Sequence, residues 1–501
     1  MPTTTPASFE SFFQTATTVW PYKYQVRLAT THPFPDVLDV PTGLGKTAAV
    51  VLGWLWQRRG HRDKLVRQAT PRRLVYCLPM RVLVEQTFGE TIRWLHRLGC
   101  LDALPGFDPD GPAGWKDYCP RPHAETADKI AVHLLMGGEP RRDWDLFPER
   151  DAILIGTQDM LLSRALNRGY GMSRFRWPMH FGMLGNDCLW VMDEVQLMGS
   201  GLGTTVQVDL FQKKFWPPQQ PCHFLWMSAT LGQSLLRTRD REDLGLAKIE
   251  PNRLFALEGT EKQEPAVRER LTAEKQIEVR KDAPSIRKRD GSGVLDRHQA
   301  DRITLVILNT VPVAQGWFRQ LRAVLASESK DEGASPPEVI LLHSRFRPPD
   351  RQRQLESLQR FVDQQTREMG TVEGHLGLII VSTQVIEAGI DLSSIRLWSE
   401  IAPWASVVQR LGRLNREGKQ DGATAMFWMP GGTEENDKGA PNESKKKRER
   451  IGPYLKKDLE TARKLLDSVR LRMEQNGEGR PYREALDEVL QTEESQKALE
   501  V

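Results

Sequence analysis

The sequence predicts an α/β protein with two successive parallel sheets, a cleft between them and a C-terminal helical segment. Short continuous apolar runs, each followed by polar residues, recur in both halves of the chain. Helix-compatible segments separate several of these runs, and buried strands that alternate with helices are typical of a parallel sheet. A chain of 501 residues is too long for one hydrophobic core, so two or three domains are expected.

The first half is organised around a glycine-rich stretch that follows one short apolar run and precedes a longer one. A strand, a tight turn and a helix N-terminus are therefore expected, and such a turn points backbone N–H groups at an anion. Lys46 can reach the β- and γ-phosphates of a nucleotide, and the Thr47 hydroxyl can bind Mg²⁺. The generic pattern has a further glycine where this chain has Val40, and a plain turn ending in a solvated lysine is the alternative. The predicted nucleotide contacts in this phosphate loop are Thr42, Gly43, Leu44, Gly45, Lys46 and Thr47.

Gln25 lies in an aromatic segment upstream of the phosphate loop. A side-chain amide both donates and accepts hydrogen bonds, as the edge of adenine requires, so Gln25 is a candidate for selecting ATP. A surface glutamine is the alternative.

Five apolar runs after the loop predict strands. Ligands collect at the carboxyl ends of parallel strands, so the polar residues that follow each run are candidate site residues. Arg81, Thr157 and Gln158 follow two of these runs and are residue types that contact phosphate oxygens without reading bases. Helix caps or surface groups are the alternative for each. The runs are residues 74–78, 131–135, 152–155, 189–192 and 224–227.

Two adjacent carboxylates, Asp193 and Glu194, follow the fourth run. Asp193 would complete the Mg²⁺ coordination, and Glu194 would orient and deprotonate the attacking water. One such pair is weak support by itself, and its place between the phosphate loop and the next motif strengthens it. Ser228 and Thr230 follow the fifth run, where small hydroxyl residues can pass hydrogen bonds from the nucleotide to a neighbouring domain.

The second half repeats the pattern after a polar, charge-rich stretch that predicts a link between two sheets. His343 and Arg345 follow one of its runs. His343 has no second histidine or cysteine at metal-ligand spacing, so a contact to phosphate is expected and a metal site is not. The predicted strands are residues 304–308, 339–342, 378–381, 395–398 and 425–428.

These motifs occur in the order found in superfamily 2 helicases, which the chain resembles. In the first half, the resemblance rests on Gln25, the phosphate loop and the polar residues after the strands. It implies two tandem RecA-like domains that bind ATP and Mg²⁺, with Gln196 at a coupling position where the family often has His or Asp. The expected domains are residues 1–255 (ATP-binding), 256–300 (linker), 301–430 (second RecA-like domain) and 431–501 (flexible loop and C-terminal helices).

Two second-half segments, residues 383–391 and 409–416, carry the same resemblance. It implies that Thr383 holds the nucleic-acid backbone. Arg413 and Arg416 are three apart, so on a helix they would project from one face and could bridge to the triphosphate. An ordinary basic helix is the alternative. The resemblance adds Gln409 to the catalytic candidates, and Gly389 and Asp391 to the nucleotide contacts.

Within that superfamily, residues 193–199, 411–416 and 453–455 resemble the CRISPR-associated helicase of type I interference systems, a resemblance that covers about residues 20–470. It implies recruitment by a crRNA-guided complex after R-loop formation, then 3′-to-5′ movement along displaced DNA while a metal-dependent HD nuclease degrades it. No histidine here is followed directly by aspartate. We therefore expect ATPase and translocase activity without intrinsic DNA cleavage, the nuclease lying on another polypeptide or in a region absent from this chain.

Composition limits the possible binding partners, metal sites and cellular location of the protein. A net charge of +4 is too small to signal nucleic-acid binding by itself. The five cysteines form no C-x-x-C pair, and no apolar run is long enough for a membrane span, so a cytoplasmic protein is expected. Three alternatives stay open: a superfamily 2 helicase acting on RNA or in DNA repair, a nucleotide-gated DNA-binding scaffold, and a phosphotransferase that uses the same loop.

Overall fold

The computed structural model divides into two compact units, Met1–Val267 and Arg268–Leu499. Each unit has its own parallel sheet with helices, as the sequence predicts. The structure describes residues 8–112, 114–121, 128–137, 144–220, 222–228, 236, 238–244, 250–288, 290–332, 336–347, 350, 353–354, 356–358, 360–361, 377–387, 392–431, 450–474 and 480–499.

The first unit contains a seven-stranded sheet in the order β3-β4-β2-β5-β6-β1-β7. Its strands are β1 (Val37–Asp39), β2 (Arg73–Leu78), β3 (Ala131–Leu135), β4 (Ala152–Thr157), β5 (Cys188–Met192), β6 (Cys222–Ser228) and β7 (Leu254–Ala256). Every pairing in it is parallel. The five predicted runs are all strands, and β2, β4 and β5 are buried at every position, as expected for a sheet covered on both faces.

Helices connect these strands. In chain order they are α1 (Phe9–Thr17), α2 (Lys23–Thr30), α3 (Lys46–Leu55), α4 (Lys64–Ala69), α5 (Arg81–Arg97), α6 (Gln158–Ala165), α7 (Trp177–Leu184), α8 (Ser200–Lys214), α9 (Arg239–Asp243), α10 (Gly259–Lys262) and α11 (Pro265–Leu271). Three of them begin directly after a strand or its short loop, because α3, α5 and α6 follow β1, β2 and β4. The residues at these junctions therefore lie at one edge of the sheet.

The second unit contains a six-stranded parallel sheet in the order β10-β11-β9-β12-β13-β8. Its strands are β8 (Gln276–Arg280), β9 (Ile303–Ile307), β10 (Glu338–Leu342), β11 (Leu378–Ser382), β12 (Arg396–Glu400) and β13 (Thr424–Trp428), and a hairpin joins β14 (Arg450–Ile451) to β15 (Tyr454–Leu455). Its helices are α12 (Val311–Glu332), α13 (Trp404–Leu411), α14 (Lys456–Glu474), α15 (Tyr482–Leu490) and α16 (Glu493–Leu499).

The stretch expected to be a linker differs from the prediction. Within residues 256–300, β8 forms an edge strand of the second sheet, paired with β13 from Gln276 to Arg280. Its polar residues made the strand hard to recognise, because an edge strand buries less of its surface than a central one. Most of the basic tail at residues 431–450 lies outside the described residues.

In the part of the chain that the structure describes, no helix is both long and apolar enough to cross a membrane.

Candidate nucleotide site and nucleic-acid contacts

The phosphate loop joins β1 to α3, and two glycines give it its shape. Gly43 has φ 83° and Gly45 has φ 72°, a left-handed conformation that costs little only for glycine. A Cβ on Gly45 would lie 2.9 Å from Nε2 of Gln25. Leu44, between the two glycines, is fully buried, so the loop is anchored and its backbone can curve closely around an anion.

Gln25 contacts the loop backbone. Its Nε2 donates to the carbonyl oxygens of Leu44 at 3.3 Å and Gly45 at 3.0 Å, and its Oε1 accepts from the backbone N–H of Tyr22 at 2.9 Å. Both amide hydrogens are used in this way, and the residue is buried. The role in adenine selection stays a prediction, while the contacts give Gln25 a structural role in supporting the loop.

Thr47 and Asp193 meet at Tyr76, and the Lys46 charge acts on Asp193. The Tyr76 phenol donates to Oδ2 of Asp193 at 2.8 Å and lies within hydrogen-bonding reach of the Thr47 hydroxyl. Lys46 donates to the carbonyl oxygen of Val40 at 2.8 Å. The junctions after β1 and β5 thus bring a lysine, a hydroxyl and a carboxylate together, and their role in binding a nucleotide with Mg²⁺ stays a prediction.

Electrostatics within this group are set by burial. Asp193 is 7% exposed, and this burial together with the Glu194 carboxylate raises the pKa of Asp193 to about 6, against the opposing effects of Lys46 and Tyr76. Burial and the same two carboxylates raise the pKa of Tyr76 as well. A buried carboxylate of this kind is stabilised by positive charge, which Lys46 supplies from the protein side.

Glu194 has an unusual backbone and a side-chain partner. Its φ of 52° is rare for a residue other than glycine, and such residues cluster at functional sites. Its backbone N–H donates to Oδ1 of Asp193 at 2.8 Å. Gln196 donates from Nε2 to the Glu194 carboxylate, so Gln196 directly contacts the residue predicted to be the base.

The donor set for Mg²⁺ is small. In the residues that the structure describes, no group of three or more His, Cys, Asp or Glu side chains could hold a metal. One carboxylate and one hydroxyl, Asp193 and Thr47, fit Mg²⁺ because this ion usually binds through one or two carboxylates together with substrate phosphates and water.

Predicted nucleic-acid contacts in the first unit lie at strand ends. Arg81 is exposed at the first position of α5, and Thr157 is the buried last residue of β4. The buried Oε1 of Gln158 has no hydrogen-bond partner among the described residues. In β6, Ser228 pairs in register with Asp39, and Thr230 lies outside the described residues.

Contacts predicted in the second unit differ in exposure. Arg345 is exposed, whereas His343 is 5% exposed and stacks on Phe346 with ring centroids 4.1 Å apart. Thr383 is 2% exposed, and its backbone N–H donates to the carbonyl oxygen of Leu342 at 3.2 Å. Two further predicted residues, Gly389 and Asp391, lie outside the described residues.

The segment that contains Arg413 and Arg416 is not the helix that the sequence predicts. Gln409 lies on α13, but this helix ends at Leu411, so Arg413 and Arg416 are not on one helical face. Gly412 caps the helix, and the chain then pairs with Ser394, whose backbone N–H donates to the Arg413 carbonyl oxygen at 2.9 Å. Arg413 and Arg416 are therefore placed by a turn, which the three-residue spacing could not indicate.

Sequence reasoning missed residues that support the predicted ones. Tyr76 lies inside an apolar run, where its phenol was the sole polar signal. Arg410, flanked by the predicted catalytic residues, is fully buried. It forms an ion pair with Glu387, with 2.7 Å between Nε and Oε1. A partner so far away along the chain gives no signal in a single sequence.

The chain is similar in sequence to known CRISPR-associated helicases. Residues 300–419 match a family described as "CRISPR-associated nuclease/helicase Cas3, C-terminal". A Haloferax volcanii protein named CRISPR-associated nuclease/helicase Cas3 is 36% identical over 109 residues, 21% of this chain and 10% of that protein. The CRISPR-associated helicase Cas3 of Thermoproteus tenax is 27% identical over 134 residues, 26% of this chain and 20% of that protein.

Solved structures extend the likeness to the whole fold. The T. fusca Cas3–ADP structure has a TM-score of 0.56 at 20% identity, covering 98% of this chain and 54% of that one. The T. fusca Cas3–AMPPNP structure has a TM-score of 0.56 at 19% identity, with 97% and 53% covered. The chain thus spans about half the length of T. fusca Cas3, and at this identity the likeness concerns the fold. These findings confirm the resemblance that the motifs indicated: the chain is similar to the superfamily 2 helicase Cas3 of CRISPR systems, with two RecA-like units.

Proposed function

We propose that this chain hydrolyses ATP and uses the reaction to move along single-stranded DNA and unwind it in type I CRISPR interference. The observation that carries the proposal is the contact of Tyr76 with both Thr47 and Asp193, with the Lys46 charge acting on Asp193, beside a glycine loop with two left-handed residues. A solvated lysine after a plain turn would not be 7% exposed or lie beside a buried carboxylate.

Each residue has a chemical task in hydrolysis. The loop backbone and Lys46 would hold the phosphates, and Glu194, oriented by Gln196, would accept a proton from the attacking water. Asp193 and Thr47 would hold Mg²⁺, which when bound neutralises charge on the phosphate oxygens. Arg413 and Arg416 would stabilise charge on the triphosphate as arginine fingers, a contribution of about 10³–10⁵ in rate.

Nucleic acid would be held mainly through its backbone. The proposed contacts are Arg81, Thr157 and Gln158 in the first unit, and His343, Arg345 and Thr383 in the second. A grip on the backbone suits movement along any sequence, because phosphate contacts carry no base information. Similarity to CRISPR-associated relatives supports recruitment by a crRNA-guided complex, with an HD nuclease supplied by a separate chain or by a region outside this one.

Replacement of the proposed base tests the proposal. Glu194→Gln should lower the ATP hydrolysis rate by about 10²–10⁴-fold, the usual contribution of a positioned base, while a fluorescent ATP analogue binds as before. The matched control is Glu149→Gln in the same unit, since the Glu149 side chain is 66% exposed and should leave the rate unchanged. Unchanged hydrolysis in Glu194→Gln would refute the assignment of the base.

Nucleic-acid specificity is tested by measuring the wild-type hydrolysis rate with matched single- and double-stranded DNA and RNA. We expect single-stranded DNA to stimulate hydrolysis most and to allow displacement of streptavidin from a biotinylated end. Stimulation by RNA alone would favour an RNA helicase, and hydrolysis without displacement would favour a nucleotide-gated scaffold. Incubation with DNA, ATP and divalent metals should produce no degradation that co-purifies stoichiometrically with the protein.

A further inference from the structure

Arg410 is a fully buried arginine that connects four parts of the second unit. Its Nε donates to Oε1 of Glu387 at 2.7 Å, and its Nη2 donates to Oδ1 of Asn309 at 3.0 Å. Its Nη1 donates to Oγ of Ser399 at 2.9 Å and to the carbonyl oxygen of Glu400 at 2.7 Å. One guanidinium on α13 thus joins the residues that follow β9 and β11 to the last residues of β12.

Glu387 is held by two arginines at once. Its carboxylate accepts from Arg410, and its backbone carbonyl oxygen accepts from Nη2 of Arg413 at 2.7 Å. The residue is 4% exposed. Glu387 therefore contacts Arg413 directly, through this carbonyl, and α13 through Arg410.

A single tight turn connects Glu387 to Thr383, the predicted backbone contact for nucleic acid. The N–H of Ile386 donates to the carbonyl oxygen of Thr383 at 3.2 Å, and the N–H of Glu387 donates to the carbonyl oxygen of Gln384 at 3.0 Å. This 3₁₀ turn covers Gln384–Ile386. These two hydrogen bonds hold Thr383 and Glu387 at the two ends of one short turn.

Asn309, the hydrogen-bond partner of Arg410 after β9, is itself fixed by further hydrogen bonds. Asn309 donates from its backbone N–H to Oε2 of Glu400 at 2.7 Å and from Nδ2 to the carbonyl oxygen of Ile401 at 2.8 Å. Burial raises the pKa of Glu400. Gln384 donates to the carbonyl oxygen of Asn309 at 3.2 Å, so the turn after β11 and the end of β9 also contact each other directly.

Stability alone is a poor explanation for the buried ion pair between Glu387 and Arg410. A buried ion pair often contributes no more to stability than apolar residues of the same volume, because both charges lose their hydration. What such a hydrogen-bonded network does provide is one defined arrangement of its members, with a large cost for partial disruption. A network between two functional segments can therefore transmit a change at one of them to the other.

We propose that Glu387 and Arg410 are positioning residues that transmit nucleic-acid binding at Thr383 to the placement of Arg413. Their pairing would make ATP hydrolysis depend on bound nucleic acid without contacting either ligand. The inference rests on the proposed function, because it assigns both a nucleic-acid contact and a phosphate contact to the second unit.

Two variants test the link. Arg410→Lys keeps the charge but lacks the planar fork that reaches four partners, and Glu387→Gln keeps the shape but removes the charge. We expect each to reduce the stimulation of hydrolysis by single-stranded DNA about tenfold or more, within the usual range of coupling between sites. Affinities for a fluorescent ATP analogue and for single-stranded DNA, measured separately, should change less than about threefold.

A matched control is Arg287→Lys in the same unit, because Arg287 forms ion pairs, with Glu328 and Asp296, but its side chain is 45% exposed. It should retain full stimulation. Stimulation at the wild-type level in both Arg410→Lys and Glu387→Gln would overturn the inference. Loss of cooperative thermal unfolding in both variants would also overturn it, because the pair would then serve stability alone. A wild-type protein whose hydrolysis no nucleic acid stimulates would instead refute the proposed function.

Discussion

Removal of the Tyr76 hydroxyl is the most direct probe of the proposed Mg²⁺ site. In Tyr76→Phe, Asp193 loses the hydrogen bond that its Oδ2 accepts at 2.8 Å, while the buried ring remains. A hydrogen bond to a charged group contributes about 1.5–3 kcal/mol, and about 1.4 kcal/mol corresponds to a factor of ten. If the bond serves to orient the Asp193 carboxylate, about 10- to 150-fold more Mg²⁺ should be needed for half-maximal hydrolysis.

The assay is a Mg²⁺ titration of ATP hydrolysis at fixed free ATP, with thermal unfolding followed in parallel. Tyr118→Phe is the matched control, because the Tyr118 phenol is also buried and donates to the carbonyl oxygen of Asp102 at 3.0 Å. This control should lower the unfolding temperature without shifting the Mg²⁺ midpoint. An unchanged midpoint in Tyr76→Phe would refute the reasoning that Tyr76 orients a metal ligand.

Three further predictions concern the loop, the second unit and the nucleic-acid contacts. Gly45→Ala should weaken ATP binding by about 1–2 kcal/mol, because the new Cβ strains a residue at φ 72° and displaces Gln25. The control Gly182→Ala should leave ATP affinity unchanged, since open space surrounds its Cβ. Equal ATP affinities of the two variants by fluorescence titration would contradict the argument. Burial lowers the pKa of Lys275 to about 7, so the unfolded chain binds a proton that the folded unit does not above that pH. Stability should therefore rise between pH 7 and 9 by up to about 1.4 kcal/mol per pH unit, and Lys275→Met should lose this rise in denaturant titrations; an identical slope in the variant would show that another group titrates. Arg81→Gln should weaken single-stranded DNA binding at all sequences alike and reduce the slope of log affinity against log salt by about 0.7, whereas a sequence-dependent loss would mean that Arg81 reads bases.

Much of the fold was predictable because its signals are local. All ten predicted runs are strands, with boundaries within two residues, since each contains a continuous apolar run of the kind that buried parallel strands require. The edge strand β8 and the three-residue β7 were missed. β8 has apolar residues only at alternate positions, Ile277 and Val279, and β7 is too short to give a recognisable run.

For the candidate site, the sequence indicated the local backbone within one short segment but not the contacts between distant segments. The glycine turn, Lys46 and Thr47 share a contiguous pattern whose backbone geometry follows from the glycines themselves. Tyr76 and Asp193 are far apart in the sequence, and nothing in either segment indicates their hydrogen bond. The helical placement of Arg413 and Arg416 was wrong because Ser394, on a different segment, pairs with the chain just after α13.

By itself the sequence determined the class of the fold, the order of its motifs and the chemical groups available at each strand end, because composition and spacing act through the nearest few residues. Tertiary structure decided which of those groups touch. Gln25 supports the loop backbone, Gln196 holds Glu194, and Arg410 binds Glu387. Such contacts form when folding brings separate strand ends to one edge of a sheet, and the direction of a buried side chain depends on every neighbour that folding places around it.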